Sequence, residues 1–509
     1  MCKKKPEKRE REGTDAGEGV KKAKAKEETS VEEAEKVCLR VAQAPPCPVD
    51  FQVDAPCRII KIGGGTVKIT ASDMGGFAGG TFTWSTTSAK IALSNVNGSE
   101  VTVTSHNATS AGRDAEVVKV KRTAVGCPDI EKTVALTVAK VTFSASVNQR
   151  YGYDDFDTPA NPLDDHICIK QSDYTFLKVT IEGGAQGTDF DFVCDNNAVC
   201  TSVAPAAAAQ FDLRLDAGNG TKDNSTLHAK AKCPAATSFS QIEVHVYKER
   251  VVKVVVAKID HPTQANRSLL LPNEDYASHA ATANAKLKEA VVKYDITNFR
   301  PDNGITPVAF SSGTGVLHFD IAKGGGPDLV AIRAAMGAAG TKVRVAIIRD
   351  MKSFYYLSAA AAKGATTLTV TAANVFYTPG RTRLPLELGL GAKHETLTIS
   401  AVNGNTITCS PLQFDHPINE PIERKTAGWS TDPILIIEGA GNATVIKWTI
   451  LHEVGHRGEG LTLADIVDDT DFMHFEQAWT DYRLRYCPRT RHYDPPGGTE
   501  NQWETIPRT

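Results

Sequence analysis

The chain has 509 residues, enough for three or four domains of ordinary size, each with its own core. Its 57 basic and 60 acidic residues leave a formal charge of −3, which gives no global electrostatic reason to expect nucleic acid or an acidic membrane as partner. No apolar run approaches the roughly 20 residues that cross a bilayer, so no transmembrane segment is expected.

In chain order, residues 1–45 read as a charged, disordered tail. Lys and Arg alternate with Glu and Asp, and there is too little apolar surface to offset the entropy of ordering. The opening "MCKKKPEKREREGTDAGEGV" is basic without an apolar stretch behind it, so neither a Sec signal nor a lipid on Cys2 is expected, and export would need another route. Eleven cysteines occur with no CxxC pair, which argues against zinc ribbons and thioredoxin chemistry. Only Cys409 and Cys487 lie beyond residue 233, so the two halves of the chain are expected to differ in architecture.

From residue 46 to 260 short Val/Thr/Ile runs alternate with polar residues, as in "TVKITAS", "TFTWSTT" and "AEVVKVKR", and are broken by Gly, Asn, Asp and Pro. The stretch repeats itself. "CRIIKIGGGTVKITASDMGGFAGGTFTWS" with "GCPDIEKTVALTV" parallels "CIKQSDYTFLKVTIEGGAQGTDFDFV" with "KCPAATSFSQIEVHV". This pattern resembles tandem immunoglobulin-like sandwiches, over 46–148 and 149–260. In such a sandwich the matching cysteines can face each other across the core, so Cys57–Cys127 and Cys168–Cys233 are the expected disulfides, with reduced core cysteines as the alternative. Cys194 and Cys200 are candidates for a third, small loop. Between the repeats, "YGYDDFDTPANPLDDH" clusters carboxylates without the glycine or alternation of an EF-hand loop, and reads as a solvated linker.

Residues 261–509 read as mixed α and β. "YASHAATANAKLKEAVVKY" is expected as a helix, "GVLHFDIA" as a strand, "GPDLVAIRAAMG" as a helix opened by Pro327, and "KVRVAIIRD" and "DPILIIEG" as buried strands. A return to strand alternation over 358–426, with Asn403 and Gly404 placed for a tight hairpin, reads as an inserted β module. "GATTLTV" and "ISAVNGNTIT" resemble small modules of phage tail and baseplate proteins.

"NATVIKWTILHEVGH" then supplies His452 and His456 one helical turn apart, with Glu453 after the first. Two imidazoles on one side of a helix suit zinc, and the adjacent carboxylate suits a general base; a helix with two surface histidines is the blander reading. With the downstream glycines and "DFMHF" around Met473, the region resembles the metzincin zinc peptidases. The resemblance implies zinc as cofactor, a third ligand beyond the helix, a methionine turn at Met473 and a protein or peptide substrate. The position six after His456 is Thr462, a poor ligand, whereas counting back from Met473 reaches Asp465. Glu476, at a gluzincin-like spacing, and His474 are the alternatives.

The expectation is therefore a multidomain chain: two immunoglobulin-like all-β sandwiches and an α+β metzincin-like domain with a β insertion. Its function would be zinc-dependent peptide hydrolysis with Glu453 as base, in a secreted or delivered protein. A phage-tail-like particle or secretion partner fits the insert. The rivals are an adhesion or tail protein with a non-catalytic HExxH helix, and a zinc hydrolase of cell-wall peptides.

Overall fold

The computed structural model describes residues 47–457 except 48–49, 75–79, 155–164, 235–236, 263–273, 312–316, 321–324, 350, 372–385, 390, 425–427, 430–431 and 439–442, together with residues 463, 503 and 506–508. Among these, no helix is long and apolar enough to cross a membrane.

The first sandwich packs a sheet of β1 (Phe51–Asp54), β3 (Thr66–Asp73), β6 (Glu100–Ser105) and β5 (Ile91–Ser94) against β4 (Thr81–Thr86), β7 (Glu116–Thr123) and the start of β8 (Ile130–Ala145); β2 (Ile59–Lys61) lies along β8. The alternation in β3 buries Val67, Ile69 and Ala71 and exposes the residues between them, as a strand with one face on a core requires. Phe51, Trp84, Val101 and Val120 fill the interior.

At 16 residues, β8 is long enough to serve two domains. Ile130–Leu136 pairs with β7, Thr137–Ala139 runs parallel to β2, and Lys140–Ala145 pairs with β11 (Tyr174–Glu182). The second sandwich sets β11, β13 (Cys200–Ser202) and β14 (Gln210–Ala217) against a sheet ordered β12 (Phe190–Cys194), β15 (Lys222–Ala231), β16 (Ser238–Tyr247), β10 (His166–Lys170) and β9 (Tyr153–Asp154). The β-sandwich expectation holds for both units. The stretch expected as a linker begins as strand β9, with Asp154 buried; its residues 155–164 lie outside the described residues.

Disulfides are present, but the pairing expected from the repeat is corrected. Among the described residues the bridges are Cys47–Cys127, Cys57–Cys233 and Cys194–Cys200, while Cys168 is a buried thiol. Cys168 sits on the face of β10 that turns away from the sandwich interior; it packs with Tyr247 and Val291 in the next domain's core and cannot reach Cys233. Cys57 and Cys233 instead meet where the two sandwiches adjoin, both partly buried against the second core.

The third unit is built on a sheet ordered β18 (Val292–Asn298), β17 (Arg250–Asp260), β21 (Val343–Ile348), β30 (Ile434–Ile437) and β29 (Gly428–Trp429), with β19 (Ile305–Pro307) also on β17. The first four are parallel and β29 is an antiparallel edge. β17, which its alternation placed in the second sandwich, is thus a central strand of this sheet. Both faces are covered, so β21 is buried at every position. Helices α1 (Ala280–Leu287) and α3 (Ala443–His456) lie on one face, and α2 (Gly326–Met336) lies on the other through Leu329, Ile332 and Met336. The long helix expected from residue 276 ends early. Val291, at φ 56°, closes it, and the following β-branched residues enter β18.

Between the adjacent strands β21 and β30 the chain leaves to form the insert, which has its own core of Tyr355, Leu368, Leu388, Ile407 and Ile422. Its strands are β22 (Met351–Tyr356), β23 (Thr367–Thr369), β24 (Leu386–Leu388), β25 (Glu395–Leu397), β26 (Ile399–Asn403), β27 (Thr406–Cys409) and β28 (Pro421–Arg424), and β20 (Leu317–Asp320) joins β22. Asn403 pairs with Thr406, so the tight hairpin forms around Gly404, at φ 56°. Arg344 on β21 makes a bidentate pair with Asp432, through Nε at 3.0 Å and Nη2 at 2.6 Å, which ties the start of β30 back to the sheet.

Candidate metal centre

Helix α3 follows β30 and carries the histidine motif at its C-terminal end. Ile446, Ile450 and Val454 recur every four residues and, with Leu451, bury against β17, β21 and β30. Burial on this scale stabilises by roughly 1.5–3 kcal/mol per side chain, so the helix is a rigid platform. His452, Glu453 and His456 lie away from that stripe and are partly exposed.

The two imidazoles converge. Nε2 of His452 and Nε2 of His456 are 3.1 Å apart, with the rings nearly perpendicular. The other ring nitrogen of His456, Nδ1, donates to the Leu463 carbonyl at 2.9 Å, and the Leu463 amide donates to the Gly455 carbonyl at 2.9 Å. A carbonyl oxygen only accepts, so Nδ1 carries the proton and the Nε2 lone pair faces His452. Leu463 is itself buried, so the chain leaving the helix is anchored back on its last turn. Ligands on a tetrahedral ion with bonds of about 2.0–2.1 Å stand roughly 3.3–3.4 Å apart, so the His452–His456 pair fits two corners of such a site. A direct imidazole–imidazole hydrogen bond has a similar length.

Of the residues expected at this site, the structure brings His452 and His456 together, with Glu453 on the same helical turn. Asp465, Met473, His474 and Glu476 lie outside the described residues.

A second group of ligand-type side chains was not singled out in the sequence. His166 on β10 and Glu243 and His245 on β16 place one donor atom each within 4.8 Å of one another. Burial, with His245 beside it, pushes the His166 imidazole well below the ordinary histidine range, against the smaller pull of Glu243, so the ring is neutral at neutral pH. The available signal was "EVH", which puts Glu243 and His245 on one face of a strand.

No protein-family model and no curated protein matches the chain. Solved structures similar to part of it include fibronectin(III)-like modules of Clostridium thermocellum CbhA, 13% identical over 39% of this chain and 95% of that one, with a TM-score of 0.19. A chimeric titin Z1Z2 is 14% identical over 39% of this chain and 97% of its own, with a TM-score of 0.15. The adhesin InvE of Yersinia pseudotuberculosis is 13% identical over 39% of this chain and 58% of its own, with a TM-score of 0.14.

Proposed function

We propose that the chain is a zinc-dependent endopeptidase whose catalytic unit is the third domain. The observation that carries the reading is the 3.1 Å approach of the two Nε2 atoms, with the proton of His456 fixed on Nδ1 by Leu463. His452 and His456 would hold the metal, with Asp465 as third ligand and Glu476 or His474 as alternatives; bound there, zinc supplies Lewis-acid polarisation of a carbonyl and lowers the pKa of water toward about 7. Glu453 accepts a proton from the attacking water and delivers it to the leaving amine. The buried stripe of α3 holds both imidazoles and Glu453 on one rigid element, which limits the reorientation needed during the reaction.

The peptide-bond substrate comes from the metzincin resemblance. A parallel sheet with an antiparallel edge strand, leading directly into the motif helix, accords with the strand and helix order of that resemblance. The three disulfides among the described residues favour an oxidising compartment, as for a secreted or delivered protein.

The test is digestion of a denatured protein mixture and, separately, of isolated peptidoglycan by the full chain, with Glu453→Gln as the blank. Cleavage of the protein mixture that disappears in the blank supports the reading; cleavage of peptidoglycan alone replaces it with a cell-wall hydrolase. If neither is cut and His452→Ala/His456→Ala leaves zinc content unchanged, the motif helix is structural and the chain is a binding protein.

A further inference from the structure

His166 opens β10, and its register partner on the parallel strand β16 is Glu243. Alternate residues of a strand share a face, so His245 stands beside Glu243 on the side that carries His166. This side points away from the sandwich interior: Cys168 and Tyr247, two residues further along each strand, are buried in the core of the third domain. His245 is stacked on Tyr247, with ring centroids 5.9 Å apart.

The distances are those of a ligand set. His166 Nδ1 and His245 Nε2 are 3.1 Å apart, the length also of a direct hydrogen bond between the rings, and Glu243 Oε2 stands 3.4 Å from the first and 3.5 Å from the second. A triangle with these edges has a centre roughly 2 Å from each corner, the bond length of zinc to imidazole nitrogen and carboxylate oxygen. A hydrogen bond from either ring to the carboxylate would draw the atoms to about 2.7–2.9 Å. Both histidines are buried, whereas the Glu243 side chain is 48% exposed, which leaves a path for an ion from that side. Asp154, buried on β9 directly across from His166, adds a carboxylate-bearing residue to the same face.

We propose that His166, Glu243 and His245 form a second, structural site for a divalent transition metal of the zinc class. Two imidazoles and one carboxylate suit that class and not calcium or magnesium, which take oxygen ligands. The ion joins β10 to β16 just before the chain passes from the second sandwich into β17, and so stiffens the sheet that abuts the third domain. This site is separate from the motif on α3 and does not depend on its chemistry.

The experiment uses the full chain carrying His452→Ala and His456→Ala, stripped with a chelator and titrated with zinc and with cobalt. About one equivalent of zinc is expected, with a visible cobalt spectrum of low coordination number and an unfolding midpoint raised by the metal. Adding His166→Asn and His245→Asn should abolish all three signals with the disulfide map unchanged. If that variant misfolds, Glu243→Gln, at the exposed ligand, should weaken zinc binding at least tenfold. Absence of zinc binding at micromolar metal in the motif-less chain overturns the proposal, as does binding that survives the Asn pair or is unaltered by Glu243→Gln.

Discussion

The Leu463 carbonyl accepts the Nδ1 proton of His456 at 2.9 Å, seven residues beyond the histidine, and thereby decides which nitrogen of that ring is available to a metal. Leu463 is also buried in the core under α3. Leu463→Ala should cost about 2–4 kcal/mol of stability, and should weaken zinc binding at the motif by about 10–100-fold through loss of ring orientation. Denaturant unfolding and chelator competition in a His166→Asn/His245→Asn background measure the two effects separately.

Glu453→Gln keeps the shape of the side chain and removes its basicity. Peptide cleavage should fall by about 10²–10⁴-fold while zinc content and the unfolding midpoint stay at wild-type values. Loss of metal in this variant would instead make Glu453 a ligand.

Cys57 and Cys233 are 176 residues apart and bridge the first sandwich to the second. Non-reducing peptide mapping should recover Cys57 with Cys233 and Cys47 with Cys127, and Cys168 as a thiol. Replacing both Cys57 and Cys233 by Ser should cost about 3–5 kcal/mol, because so long a loop leaves the unfolded chain much freer.

Gly152 donates its amide to the Glu289 carbonyl at 2.9 Å and accepts from the Cys168 amide at 3.0 Å, at the seam between the second sandwich and the third domain. A Cβ there would collide with the Glu289 carbonyl and lie 2.7 Å from Trp503 Cζ2. Gly152→Ala should destabilise by about 1–3 kcal/mol and raise protease sensitivity near residue 150, whereas an unaltered midpoint would show that the seam yields without cost.

Asp173 accepts from the Arg150 guanidinium, the Tyr151 hydroxyl and the Tyr174 amide. Burial pushes its carboxyl up, but these donors outweigh burial and hold it below its ordinary 3.8. A carboxylate with a depressed native pKa contributes stability above its unfolded value and loses it as the pH falls through the native one. Asp173→Asn should therefore cost about 1–2 kcal/mol at pH 7, and the difference from wild type should shrink below pH 3.8. An offset that is constant with pH would assign the effect to packing.

Local pattern was enough to read several elements. Alternation in "TVKITAS" marked a strand with one buried face, the run "VRVAII", apolar except for Arg344, marked a strand covered on both, and the four-residue spacing in "HEVGH" put two imidazoles on one side of a helix. These features repeat within a few residues, so the chain's own geometry reveals them. What periodicity cannot give is the partner of each face. The same alternation suits a sandwich strand and the central strand β17, and a repeated cysteine does not say which sulfur waits across the gap. Sheet order settled both, sending Cys168 into the third domain's core and Cys57 to Cys233. The approach of His166 to Glu243 and His245 likewise arises from the parallel register of β10 on β16, a long-range choice made by packing. At the motif helix the sequence determined the pair of histidines; the fold, by bringing Leu463 back onto His456, determined which nitrogen His456 presents.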